Sequence, residues 1–329
     1  MFTICHYPTQ LSKDQLDQYL ADGWFRMGQT IFTCFYLDIE EGIFPTIWLR
    51  KSLKNHAFKK SHRKLIRKVE NRFRVEVREA FIDEEKEKLY DIHKLRFNGP
   101  VALNLYEALM DNSTINIYDT WETAIYDGDR LVAASFFDLG NHGGASIKGI
   151  FHPDYNNYSL GFYTMLKEIE FLQEQNYEYY YPGYFVVDYP KFDYKLRIGD
   201  LEYLDTQDMS WHAMEVMDRE QLAPVKLKQV LRDLQDVLTD KGIFHEMLFF
   251  PSPTIFFQVE NQEQIQSPLT IWCPKRHKKE IPLLIDFDTG GGTYRLYRIS
   301  LSLEPLHATQ SLEELLSYIF ALRQIPRQK

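Results

Sequence analysis

The chain is poor in cysteine: its 329 residues hold three, Cys5, Cys34 and Cys273, far apart and never spaced Cys-x-x-Cys. An odd number without paired spacing argues against a disulfide framework and against a zinc site. No apolar run is long enough to span a membrane. Met1 to Gln10 has neither a basic start nor an apolar core, so no signal peptide is expected and the expected compartment is the cytoplasm. Gly290-Gly291-Gly292 is not followed by the Gly-Lys-Ser/Thr of a phosphate loop and reads as a turn between two strands. There is no internal repeat, and no pattern that announces a Ser–His–Asp or Cys–His nucleophile.

What is present is a surplus of aromatic residues and an uneven charge. The net charge is −9, yet Arg50 to Arg78 holds twelve Lys or Arg and only two Glu, a local +10 against −19 for the rest. A basic block inside an acidic chain points to a polyanionic partner. Phe58 to Lys68 fits an amphipathic helix with Leu65, Ile66 and Val69 inward, and Arg63, Arg67 and either Lys60 or Lys64 sharing an outward face. Phe73 to Phe81 reads as a strand and Glu84 to Phe97 and Ala102 to Met110 as helices. Thr120 to Tyr126 and Leu131 to Leu139 flank an Asp127-Gly128 turn and make a hairpin. Ala145 to Phe151 is a third strand of that meander. A helix with apolar Phe162, Met165, Leu166, Ile169 and Leu172 follows, capped by the Ser159 hydroxyl. Glu178 to Val187 is aromatic and β-branched and completes a strand–helix–strand crossover. After Asp205, a helix from Pro224 to Asp240, a strand-like run from Ile243 to Phe257, strands near Ser267 to Cys273 and Ile281 to Asp286, and a helix from Leu312 to Leu322 form an extension. Lys275 to Lys279 reads as a solvated basic loop.

Ser159-Leu160-Gly161 at a helix start, Gly183-Tyr184-Phe185 in a strand, then Lys191, Tyr194, Lys195 and Glu202 stand in a spacing that resembles the C-terminal half of the aminoacyl-tRNA–protein transferases, the arginyl-transferases and their bacterial leucyl relatives. The basic stretch from Phe58 to Lys68 is similar to the one preceding the catalytic part of that family. Gly23 to Gly28 resembles the segment that leads into the family's cysteine cluster, but only Cys34 lies near it here, so no metal role is carried over. The resemblance implies an α+β protein, a mixed sheet of the GNAT-like acyltransferase fold. The expected divisions are residues 1–72 with the basic helix, 73–205 as the catalytic domain and 206–329 as an α/β extension.

The implied reaction moves an amino acid from aminoacyl-tRNA to the amine of a protein N-terminus. An ester is already activated, so no cofactor or metal is expected beyond the tRNA co-substrate. Tyr194, Lys195 and Lys191 are the candidate catalytic residues: Tyr194 to meet the carbonyl or the amine, and the lysines to meet an acidic acceptor or an RNA phosphate. Arg63, Lys64, Arg67 and Lys68 are candidates for tRNA contact, and Asn157, Ser159 and Gly161 for an anion pocket at the helix start. Asp188, Asp193 and Glu202, with Asp200 between them, would suit an arginyl donor. Phe192 and Ile198 would suit a leucyl one. The carboxylates tilt the reading to arginine, with acceptors beginning in Asp or Glu, and to a monomer without membrane contact. Two alternatives stand beside it. One is an acyl-CoA-dependent N-acyltransferase, although Asn157 to Phe162 keeps only one glycine of a diphosphate loop. The other is a non-catalytic RNA- or degron-binding protein.

Overall fold

A computed structural model describes residues 2–39, 41–97, 101–249, 265, 267–276 and 280–323. The chain opens with β1 (Phe2–His6), α1 (Lys13–Ala21), β2 (Phe25–Met27), β3 (Thr30–Ile39) and β4 (Gly42–Ser52). A reciprocal cap fixes the start of α1: Ser12 Oγ accepts from the Gln15 N–H at 3.2 Å, and Gln15 Oε1 accepts from the Ser12 N–H at 2.9 Å. The basic helix is α2 (Lys60–Glu70), which buries His62, Ile66 and Val69 and turns its cations outward. Then come β5 (Arg74–Glu79), α3 (Glu84–Lys94), α4 (Leu105–Met110), β6 (Thr120–Asp127), β7 (Arg130–Leu139), β8 (Gly143–Phe151), α5 (Leu160–Glu174) and β9 (Tyr179–Val186). This is the strand, two-helix, three-strand, helix, strand order expected of a GNAT-like acyltransferase.

The large sheet runs β1-β3-β4-β9-β8-β7-β6-β5. Along this path only β8 and β9 pair in parallel, as the intervening α5 requires. Both faces of its catalytic half are covered. From β7, Ala133 and Phe137 pack under α5 and α2, while Ala134 and Phe136 pack under Leu89, Tyr90, Leu105 and Leu109 of α3 and α4. Each fully buried Leu or Phe in these layers contributes roughly 1.5–3 kcal/mol. Residues 1–72, expected as a division of their own, add β1 to β4 to this same sheet, because β4 lies along the side of β9 that β8 does not use. β10 (Glu202–Asp205) pairs with both β4 and β11 (Ser210–Ala213).

The remainder is a second layer pair. α6 (Ala223–Asp240), β12 (Glu246–Phe249), β13 (Leu269–Cys273), β14 (Leu283–Asp288), β15 (Thr293–Ile299), β16 (Leu303–Thr309) and α7 (Leu312–Arg323) make a five-stranded antiparallel sheet backed by two helices. Leu227, Leu231, Leu234 and Leu238 of α6 and Leu315 and Ile319 of α7 meet Ile271, Leu283, Ile285 and Leu296. Tyr36 of β3 is buried in this cluster, and its hydroxyl donates to the Pro224 carbonyl at 2.8 Å. β15 is the strand expected after the glycine turn; β16 was not expected, and it carries Pro305, a residue a strand tolerates at a sheet edge. The strand-like run beyond Phe249 and most of the basic loop after Arg276 lie outside the described residues.

One buried ion pair ties the N-terminal strands to the catalytic half. Arg26, 4% exposed, donates to Asp138 at 2.7 Å, Thr120 Oγ1 at 2.8 Å, the Gly28 carbonyl at 2.7 Å and the Leu109 carbonyl at 2.5 Å. Arg26→Ala leaves Asp138 buried and unpaired and should cost about 3–5 kcal/mol. Urea unfolding monitored by tryptophan fluorescence checks this; a loss under about 1 kcal/mol would show that the pair does not anchor the sheet.

Candidate active site

The site begins where two strands part. β8 and β9 pair only over Gly143–Ala145 and Tyr179–Tyr181. The next residue of β9, Pro182, has no N–H to give a ladder, and Gly183 after it has φ +87°, a left-handed backbone that favours glycine. From there β9 follows β4, with Gly183 opposite Leu49 and Tyr184 opposite Trp48, while β8 follows β7, with Lys148 opposite Phe136. The wedge between them is a cleft of about 460 Å³. Ser146, Lys148 and Phe151 of β8, Ser135 of β7, Pro182 of β9 and Phe162 and Met165 of α5 form its walls. Tyr194, Lys195 and Arg197 reach it from the 3-10 segment Pro190–Ile198, and His93, Arg96 and Phe97 from the end of α3.

The lining is cationic. Arg96, Lys148, Lys195 and Arg197 line it, and no Asp or Glu does among the described residues. Lys195 donates to the Tyr184 carbonyl at 2.9 Å and lies over the Tyr184 and Phe192 rings at 5.2 and 5.6 Å. Burial lowers its pKa to about 8, because the charged form loses hydration. Burial also lowers the pKa values of Lys148 and His93, and His93 Nδ1 lies 3.1 Å from the Phe151 carbonyl. Desolvation first, and then nearby Glu168, pushes Tyr194 above the usual phenol range, although 44% of the residue stays exposed. Gly161 faces the cleft where an added Cβ would come within 3.1 Å of the Phe151 ring.

Tyr194, Lys195, Ser159 and Gly161 thus meet at one cleft. Lys191 does not: it is exposed and stands 4.0 Å from Glu41. Ser159 does not cap α5 through its hydroxyl; it is itself left-handed at φ 53°, because the 3-10 turn Pro153–Tyr158 runs directly into the helix. Asn157 lies beside the cleft, where its carbonyl accepts from Lys68 Nζ at 2.7 Å. Arg63, Lys64 and Arg67 lie exposed along α2. The start of α2 touches the cleft wall, where His62 Nε2 sits 3.0 Å from the carbonyl of Arg197; at its other end Lys68 lies 4.7 Å over the Tyr158 ring, in the turn that leads to Ser159.

The carboxylates weighed for an arginyl side chain do not converge. Glu202 accepts from Arg50 at 2.5 Å, Asp200 lies 3.8 Å from Lys51 and 3.7 Å from Lys59, and Asp188 and Asp193 are exposed. Ser135, Ser146, Lys148, Arg96 and Glu168 were missed. For Glu168 the signal was present: a carboxylate inside the apolar stripe of α5. Asp205, Asp208 and His212 could offer one ligand atom each to a cation, and Asp208 also accepts from Ser210.

The parting parallel strands and the cation-lined cleft agree with the GNAT-like acyltransferase fold that the resemblance implied. Residues 59–205 match the family described as arginine-tRNA-protein transferase, C terminus. An aspartate/glutamate leucyltransferase of Campylobacter jejuni is 28% identical over 195 residues, 57% of this chain and 79% of that protein. The arginyl-tRNA–protein transferase 1 of Saccharomyces cerevisiae is 38% identical over 84 residues, 26% of this chain and 16% of the yeast protein. Among solved structures, a GCN5-related N-acetyltransferase-like protein from Streptococcus suis aligns with a TM-score of 0.29 and 12% identity, over 58% of this chain and 62% of that one. No described helix is long and apolar enough to cross a membrane.

With its pKa near 8, Lys195 is neutral far more often at pH 8 than an ordinary lysine of pKa about 10.4. Brief treatment with an amine-acylating reagent should therefore modify Lys195 faster than exposed Lys191, in spite of its lower exposure. Peptide mass spectrometry reads the ratio, and faster labelling of Lys191 would contradict the environment described.

Proposed function

We propose that the protein transfers an uncharged, apolar amino acid such as leucine from aminoacyl-tRNA to the α-amino group of proteins that begin with Asp or Glu. The observation that carries this reading is the cleft lining: four cations, no carboxylate among the described residues, and apolar walls from Ile147, Phe151, Phe162 and Met165. A guanidinium entering this space would meet like charge and no bidentate partner. A leucyl side chain would bury apolar area against those rings. The tilt to an arginyl donor that the sequence suggested thus gives way, since its carboxylates are paired or exposed elsewhere. The Campylobacter relative, named an aspartate/glutamate leucyltransferase, supports the same donor and acceptor.

The parts then divide the work. The exposed cations of α2 run past the cleft mouth and would hold the tRNA backbone, leaving its aminoacyl end over the cleft. Lys148 and Arg96 would receive the acceptor's acidic side chain, each charge-assisted bond contributing about 1.5–3 kcal/mol. Tyr194 and Lys195 stand where the ester carbonyl would develop negative charge, and both can donate to it. The ester supplies the activation, so the reaction draws on positioning and proton transfer rather than on a cofactor.

Competition of leucyl-tRNA with arginyl-tRNA, against peptides starting with Asp, Glu, Lys or Ala, tests the assignment. Leucyl transfer to the Asp and Glu peptides is expected. Preferred use of arginyl-tRNA would overturn the donor assignment, preferred use of the Lys peptide the acceptor one, and transfer from acetyl-CoA alone both. Lys148→Gln should raise KM for the Asp peptide on the order of tenfold with little change for the tRNA. Replacing Arg63, Arg67 and Lys68 with Glu should weaken tRNA binding and reduce the slope of log K against log salt by about three; an unchanged slope would remove α2 from the RNA interface.

A further inference from the structure

Glu168 is an acid placed directly behind the cleft wall, bonded to Ser135, which lines it. It is fully buried in the middle of α5, between apolar Met165, Ile169 and Leu172. Ser135 Oγ donates to Glu168 Oε1 at 2.6 Å, and the Tyr180 hydroxyl donates to Oε2 at 2.8 Å. Ser146 stands near enough to help hold its pKa down. Ser135 and Ser146 both line the cleft, on neighbouring strands. A carboxyl is thus bonded to one hydroxyl of the reaction space, that of Ser135, and neighboured by a second, that of Ser146, each able to take a proton on one side and give one on the other.

We propose that Glu168 is the terminal acceptor for the proton released by the attacking amine, reached through the hydroxyls of Ser146 and Ser135. This rests on the transfer reaction proposed above. The amine nitrogen bonds to the ester carbon and becomes cationic. Its proton passes to a serine oxygen while that serine's own proton passes to Glu168. The C–O bond to the ribose then breaks, and the ribose oxygen recovers the proton along the same path. One N–C bond replaces one C–O bond, the proton ends on the ribose hydroxyl, and no redox partner is needed. The acidity of Glu168 suits the role: burial raises its pKa to about 7, against the lowering by Ser135, Tyr180 and Ser146. A base with pKa near the working pH is the most effective. The titratable groups that face it are Tyr180 of β9 and Tyr194 of the 3-10 segment. Glu70 of α2 meets α5 elsewhere, at Tyr163 and Lys167.

The test pairs single-turnover transfer with thermal unfolding, both from pH 5 to 8.5, on the wild type, Glu168→Gln and Ser135→Ala/Ser146→Ala, using whichever of leucyl- and arginyl-tRNA the wild type accepts. The wild-type rate should fall off below pH about 7. Glu168→Gln should lack that limb and be on the order of a hundredfold slower at pH 8, and the serine pair should be slowed alike. Glu168→Gln within threefold of wild type, with the same limb, would overturn the proposal. The folded pKa lies above the unfolded one of about 4.3, so ionised Glu168 is penalised in the fold and wild-type stability declines as pH rises between those values. The Tm advantage of Glu168→Gln should widen from pH 5 to 7 and then level. A constant gap means an ordinary carboxyl and overturns the assignment whichever donor is used. Refusal of leucyl-tRNA with a widening gap and an altered pH limb overturns the donor reading alone.

Discussion

The parting of β8 and β9 after Ala145 and Tyr181 is the constraint on which the site depends. Without it the mixed sheet would be continuous and the cleft would not exist. Pro182 withholds a donor and Gly183 supplies a backbone turn that other residues resist, so both act on the same strand at the same step. Neither strand is left loose. β7 holds β8 and β4 holds β9 through antiparallel ladders, which makes the wedge a rigid gap between two well-paired strands. Gly183 also fixes Lys195, whose Nζ lies 3.0 Å from where a Cβ would stand.

The electrostatics follow from that gap. Lys148 sits on the freed stretch of β8 and Lys195 on the chain just past β9, so the opening of the sheet gathers positive charge inside a protein whose net charge is −9. Their lowered pKa values reflect the water excluded by the walls. Glu168 shows the same desolvation acting on a carboxyl, with the opposite sign.

Much of this was legible in the sequence, for identifiable reasons. The meander, the crossover helix and α2 carry period-2 or period-3.6 patterns strong enough to read directly. The site was legible only in part, because proximity along the chain does not fix direction. Lys191 and Lys195 are four residues apart, but a 3-10 segment has about three residues per turn, so they leave on different sides. The run of acids from Asp188 to Glu202 looked like one pocket and is spread over a 3-10 segment, a left-handed Gly199 and the start of β10. Ser135 and Ser146 carry no periodic signal; only strand pairing brings them together. β16 was hidden by a proline that an edge of a sheet accommodates.

The way β4 closes against β9 bears on how this catalytic segment can be handled as a separate object. Cut from the chain at residue 59, where the family match begins, it would present β9 as a long bare edge rich in Tyr, Phe and Val. Bare apolar edges invite strands from other molecules. The early strands are therefore a built-in edge guard as well as a sheet extension, and an excised transferase core would need a substitute for β4 to remain a single, unaggregated species.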